Sequence, residues 1–227
     1  MLVFDTETTG LLPKGKRLSQ DTLELFPYVV QISWIFWDNL KNIIIKKKDF
    51  IIKLPPTITM CDKCIEIHGI TNEKSQECGV DIKDVIDEFI QDVYEAKMIV
   101  AHNLDFDLNV LFAEIMRIIN SGNPVSKYNI NYAEFISNLL ENKNLYCTMK
   151  ESTSMCNIKM TSKNGRQFVK FPKLSELHEY LFQSTPKNLH NALNDVIVCM
   201  RCFYKMIFDT DILEKNEELN QLFSELL

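Results

Sequence analysis

Apolar and polar positions along the chain follow two periods, and the order of those periods predicts the architecture. LVFDTE, YVVQISWIFWD and NIIIKKKDFIIKL are rich in β-branched and aromatic residues and bounded by turn formers. They read as three strands, the third open to bending into a hairpin. The period then lengthens. TMCDKCIEIHGI predicts a short helix ending near Gly69. IKDVIDEFIQDVYEA predicts an amphipathic helix with Val85, Ile86, Phe89, Ile90 and Val93 on one face. MIVAHN reads as a fourth strand, and FDLNVLFAEIMRIIN as a helix ended by Gly122 and Pro124. A helix around 131–141 precedes LYCTM, a fifth strand. A basic loop follows, then helices in KLSELHEYLF and NALNDVIVCMRCFYKMIF and a short, polar-faced helix at the end. Strands first, then strands alternating with helices, predict an α/β fold in which helices cover a mixed sheet.

The first strand ends on an electrostatic problem. Side chains alternate along a strand, so Asp5 and Glu7 share one face while Leu2 and Phe4 point to the other. Two like charges side by side repel, and each resists leaving water. No Lys or Arg adjoins the pair; Lys14, Lys16 and Arg17 follow in a loop-like stretch. A hard cation with oxygen ligands, Mg²⁺ or Mn²⁺, is the simplest partner. The plainer alternative is a strand ending in a solvated acidic turn.

Length and composition narrow the classes. A chain of 227 residues fits one full-cored domain, or one domain with an appendage. No uncharged apolar stretch is long enough for a membrane span, and the first residues are an acid-bearing strand rather than a signal peptide. The expected location is therefore intracellular, cytoplasmic or nuclear. Two cysteine pairs, Cys61/Cys64 and Cys199/Cys202, have the spacing of a zinc site. Both lie in helix-like stretches, which favours buried free thiols instead. The net charge of −6 is uneven. Lys46-Lys47-Lys48 reads as a hairpin turn or a solvated edge strand. Between Lys143 and Lys173 basic residues face one acid, Glu151, so this stretch is either substrate-facing or a flexible surface loop.

Ligands in open α/β sheets gather at the C-terminal ends of strands. Asp5 and Glu7 lie at one such end; His102-Asn103-Leu104-Asp105-Phe106-Asp107 follows a second; LHNALND carries His190 and Asp195 at the start of a late helix. Carboxylates from these segments, brought together, need strong positive charge, which two divalent ions supply. His190 then suits proton transfer, because imidazole ordinarily titrates near neutrality.

The set VFDTETTG, AHNLDFD and HNALND resembles the DEDDh group of 3′–5′ exonucleases, which has the ribonuclease H-like fold: a mixed central β-sheet flanked by α-helices. IHGIT resembles a stretch of the proofreading branch of that group. The resemblance covers residues 1–208 as an exonuclease domain and leaves 209–227 as a C-terminal helical extension. It implies that Asp5, Glu7, Asp107 and Asp195 bind two Mg²⁺ or Mn²⁺ ions and that His190 is the general base. It also selects Asp107 over Asp105, which becomes a helix N-cap. Thr8, Thr9, Gly10 and Leu11 would support the terminal nucleotide, with Gly10 allowing close approach or unusual backbone angles. Asn103 and Phe106 could touch substrate, Phe106 alternatively serving as core. His102 would close its strand with a hydrogen bond, and His68 and His178 read as structural.

The implied substrate is a single-stranded or frayed 3′ end of DNA or RNA, released as nucleoside 5′-monophosphates. Roles in proofreading, DNA repair or RNA processing stay open. The last helix is free to pack on its own domain, a second copy or a polymerase. The sequence departs from a minimal member of the group in its longer stretch from Tyr146 to Pro172. Two other readings remain: an aspartyl-nucleophile phosphatase, against which Glu7 and the His190/Asp195 pair argue, and a non-catalytic nucleic-acid-binding module on the same fold.

Overall fold

A computed structural model describes residues 1–122 and 126–226; the expected helix stop at Pro124 lies outside them. Five strands form one sheet: β1 (Leu2–Thr8), β2 (Val29–Asp38), β3 (Ile43–Ile51), β4 (Met98–Ala101) and β5 (Asn144–Cys147). Their order is β3-β2-β1-β4-β5. The first three are antiparallel neighbours, and β4 and β5 add in parallel with β1. The sheet is mixed because β1, β2 and β3, consecutive in the chain, pair antiparallel, whereas helical crossovers feed β4 and β5.

Strand alternation sends apolar residues to both faces. Leu2, Phe4 and Trp34 meet Val85, Ile86, Phe89, Ile90 and Val93 of α3 (Ile82–Glu95), together with α4 (Leu104–Asn120) and α5 (Tyr132–Asn142). Val3, Ile35, Trp37 and Val100 meet α8 (Leu174–Phe182) and α9 (Ala192–Phe208) on the opposite face. Two short helices, α1 (Asp62–His68) and α2 (Asn72–Cys78), follow β3. The α1 helix stops at Gly69 in the left-handed conformation, as glycine permits.

Several expectations are corrected. Of the two readings of Lys46-Lys47-Lys48 the edge strand holds and the hairpin does not: β3 is one continuous edge strand, and its lysines alternate faces. Lys46 and Lys48 pair with Asp92 and Glu88 of α3, and Lys47 with Glu218 of α10 (Glu217–Ser224). β5 ends at Cys147; Thr148 and Met149 already belong to α6 (Thr148–Glu151). The basic loop is largely ordered. After α6 come α7 (Thr153–Cys156) and a separate hairpin of β6 (Lys159–Thr161) and β7 (Gln167–Val169).

Beyond α9, Ile212, Leu219, Phe223 and Leu226 join the core on the α9 face. Arg201 organises that contact. It donates to Asp211 at 2.5 Å, stacks over Phe182 and Phe223, and donates to His178 Nε2 at 3.1 Å. His178 therefore carries its proton on Nδ1, which donates to the Ser184 carbonyl at 2.7 Å. Both His178 and His68 are buried, in keeping with structural roles. No helix among the described residues is long and apolar enough to cross a membrane.

Candidate active site

Three chain segments meet at the C-terminal end of β1. Asp5 and Glu7 stand opposite Ser33 and Gln31 of β2 and continue the face of Val3, over which α9 packs. β4 pairs with β1 only at Leu2 and Val3, so the β1 edge beyond Val3 lacks a strand on that side. The first turn of α4 fills the gap. The Thr6 amide and hydroxyl both donate to Asp107 Oδ1, at 3.1 and 2.7 Å. Asp107 thus takes the place of a strand carbonyl.

The third segment is the start of α9. Asn191 caps it, and the Ala192 amide donates to Gln31 Oε1 at 3.1 Å. Gln31 is in turn held by Asp49 of β3, which also accepts from Ser33. Asp195, one turn into α9, accepts the His190 amide on Oδ2 at 3.1 Å. Its other oxygen is buried with no protein partner. His190 is exposed, on a loop, with a left-handed φ of 70°. Ligand atoms of Glu7, His190 and Asp195 lie within 4.8 Å of one another.

The electrostatics follow from this crowding. Burial pushes the Asp5 carboxyl well up from the ordinary range, with the charges of Asp107, Asp195 and Glu7 adding to it. Burial, then Asp195 and Asp107, raise Glu7 to about 8. Asp107 rises to about 7 by burial despite its two bonds from Thr6. Asp195 also rises to about 7 by burial, against the His190 amide. Among the described residues no Lys or Arg pairs with any of the four. A like-charged pair about 4 Å apart costs roughly 4 kcal/mol at an effective dielectric near 20. Hydrogen bonds to charged groups return about 1.5–3 kcal/mol each. Four such acids exceed what Thr6 and His190 return. Hard oxygen donors, an orphaned buried Asp195 oxygen and the lack of an internal cation fit divalent metal.

This makes stability pH-dependent. Carboxyls with raised folded-state pKa keep protons that the unfolded chain has already released. Their contribution is present below about pH 4 and is lost as pH climbs through about 7 to about 8. With chelator present, Tm should fall between about pH 5 and about pH 8, and added Mn²⁺ should restore it most at the alkaline end. A chelated Tm that stays flat across that window would contradict the crowding.

The remaining sequence-nominated residues end or follow β1 or lie at the start of α4. Thr8 donates to the Gly10 carbonyl at 2.7 Å, and Thr9 pairs with Tyr28 through its amide and hydroxyl. Gly10 has no left-handed φ, and a Cβ there would meet nothing. An unusual backbone angle is therefore not its reason, and close approach remains. Leu11 is 85% exposed. Asn103 is itself the N-cap of α4, in the left-handed conformation. The expectation that Asp105 is the N-cap of this helix is corrected: Asn103 holds that position, and Asp105 sits in the first turn and pairs with Lys150 at 2.6 Å. Phe106 is half-buried against the core.

His102 bridges Thr148 Oγ1 (2.9 Å) and the Pro172 carbonyl (3.1 Å). Burial lowers its pKa to about 4, so it is neutral; Nε2 donates and Nδ1 accepts. Cys64 donates to the Thr9 carbonyl with Cys61 beside it, whereas Cys199 and Cys202 are buried in α9. Among the described residues no four-cysteine group forms, and the zinc spacing carries no site. Sequence reading missed Thr6, Gln31 and Asp49 as positioning residues. The signal available was Gln31 and Ser33 recurring at period two inside an otherwise apolar strand.

A family model described as Exonuclease (RNase_T) matches residues 2–203. No curated protein matches at the level of sequence. Solved structures do match. E. coli Exonuclease I in complex with a dA16 oligonucleotide is 16% identical, with a TM-score of 0.56, over 90% of this chain and 40% of that one. The zinc-bound form of the E. coli Exonuclease I–ssDNA complex is 16% identical, TM-score 0.55, over 97% and 42%. A moderately thermophilic Exonuclease I from Methylocaldum szegediense is 15% identical, TM-score 0.58, over 94% and 42%. At such identities the likeness is one of fold, and the chain spans less than half the length of these proteins.

Proposed function

The chain belongs to the exonuclease family, and on that premise we propose that it is a DEDDh-type 3′–5′ exonuclease of ribonuclease H-like fold that removes nucleoside 5′-monophosphates one at a time from the free 3′ end of a polynucleotide. The family implies dependence on divalent metal. In our reading Asp5, Glu7, Asp107 and Asp195 hold two ions, Mg²⁺ or Mn²⁺. When bound, these supply positive charge to the phosphoryl oxygens and acidity to water.

The chain's own residues carry the rest. His190 takes a proton from the attacking water at a ring nitrogen, and its exposed loop leaves that ring accessible. The hydroxyl of Thr8 and the amide of Thr9 are engaged within the protein, so the turn from Thr8 to Leu11 is pre-set. It receives the last nucleotide, with the exposed Leu11 side chain available to its base. Asn103 and Phe106 border the same site.

The observation supporting this reading is the convergence of four proton-hungry carboxylates from three distant segments, with no Lys or Arg of the described residues paired to them. Single-stranded DNA, the ligand in the E. coli Exonuclease I complex, is the first substrate to test, beside RNA. Linear 5′-labelled strands should shorten from the 3′ end in Mg²⁺ or Mn²⁺, stop with chelator and release nucleoside monophosphate, while covalently closed circles persist. Release of inorganic phosphate alone would instead indicate a phosphatase. Efficient cutting of circles would sink the end-specific reading.

A further inference from the structure

The β6–β7 hairpin is not used by the site described above. Its register pairs Lys159 with Val169, Met160 with Phe168 and Thr161 with Gln167, and all six side chains are exposed. The ladder continues through Ser162 N–H to the Arg166 carbonyl and Lys170 N–H to the Ile158 carbonyl. By strand alternation Arg166, Phe168 and Lys170 therefore share one face with Met160. Phe171, just beyond, is 56% exposed.

From Lys159 to Lys173 the chain has Lys159, Lys163, Arg166, Lys170 and Lys173 and no acid, in a protein of net charge −6. Only Lys170 is engaged in an ion pair among the described residues, with Glu176. Three-residue strands exposing aromatics on a detached ribbon are marginally stable by themselves. Cations interleaved with aromatics at period two are what a single strand of nucleic acid recognises. Phosphates meet the cations, and bases stack on the rings without sequence preference.

The hairpin stands beside the catalytic edge. Its exit, Pro172, accepts from His102, the neighbour of the α4 cap that leads to Asp107. Its approach, α6, is pinned to α4 through Lys150 and Asp105.

We propose that this hairpin is a second binding site for the substrate polynucleotide, gripping the single strand upstream of the terminal nucleotide. The proposal rests on the exonuclease reading only for the identity of the strand. Arg166 contacts a phosphate on the face it shares with Phe168, which stacks on a base, and Lys163 reaches from the turn.

The test compares full-length protein with a Lys163→Ala/Arg166→Ala variant and, separately, Phe168→Ala. Two substrates are used: a single-stranded oligonucleotide of about 20 nucleotides, longer than one site can hold, and the p-nitrophenyl ester of thymidine 5′-monophosphate. On the oligonucleotide kcat/KM should fall about tenfold or more in the double variant, carried by KM. The ester, too short to reach the hairpin, should be turned over as before. Binding of a fluorescent oligonucleotide in chelator should weaken in both variants. The slope of log affinity against log salt should flatten by about 1.4 in the double variant, near 0.7 for each lost phosphate contact. Unchanged oligonucleotide binding and slope in both variants would overturn the hairpin site. Failure of the wild-type protein to cut either substrate would overturn the exonuclease reading instead, and the binding measurement would still decide the hairpin.

Discussion

Asp107→Asn is expected to lower turnover of a single-stranded oligonucleotide by about 10³-fold or more, whereas Asp105→Asn, two residues away, should stay within about twofold of wild type. The contrast follows from where one helical turn places the two carboxyls. Asp107 is buried and locked to Thr6 on β1. Asp105 points outward and holds Lys150. Asn keeps an oxygen for the two Thr6 donors, so Asp107→Asn should fold normally. It also removes one charge from a crowded site. Its Tm in chelator should therefore rise or hold near neutral pH, while the further stabilisation by Mn²⁺ shrinks. Loss of activity together with undiminished metal stabilisation would remove Asp107 from the ligand set. Equal activity of Asp107→Asn and wild type would end the assignment altogether.

His190→Asn is the second large effect, with an expected loss of about 10²- to 10⁴-fold in kcat, the usual contribution of a positioned general base. Asn is the informative replacement because His190 has a left-handed φ of 70°. Asn tolerates that backbone better than most residues, so the loop and its amide bond to Asp195 should survive. Tm should then remain within a few degrees of wild type, since a surface change costs about 0.5 kcal/mol or less. Added imidazole should restore part of the rate if the missing function is proton transfer. A variant at full activity would dismiss His190 as base. A large drop in Tm would mean that the histidine serves the fold instead.

The two variants separate the roles of neighbouring residues. Asp195 accepts the His190 amide and is also a proposed ligand, so its removal would disturb both jobs at once. His190→Asn keeps the anchor and removes only the ring. Asp107→Asn keeps the hydrogen bonds and removes only the charge.

Much of the sheet was legible because its signals are local. Alternation in LVFDTE put Asp5 and Glu7 on the face opposite Leu2 and Phe4, and β1 has that arrangement. The apolar spacing in IKDVIDEFIQDVYEA marked the buried face of α3 residue by residue. It could not anticipate that Asp87 and Asp92 would be buried there too, because their partners, Tyr132 and Trp34, lie far along the chain. The basic stretch after β5 read as a loop for a related reason. Strands of three residues are too short for a period to show, and the ladder between them depends on the turn at Gly165.

From sequence alone came the three acidic motifs, their order and the expectation that each sits at the end of an element; these depend on residue type and spacing along one stretch of chain. Only the tertiary structure decided how they meet. β4 stops pairing after Val3, the open edge of β1 admits the first turn of α4, and Thr6 and Gln31 hold the two helix starts at that edge. Such contacts join residues about a hundred or more positions apart, and no local pattern of hydrophobicity encodes a hydrogen bond across that distance.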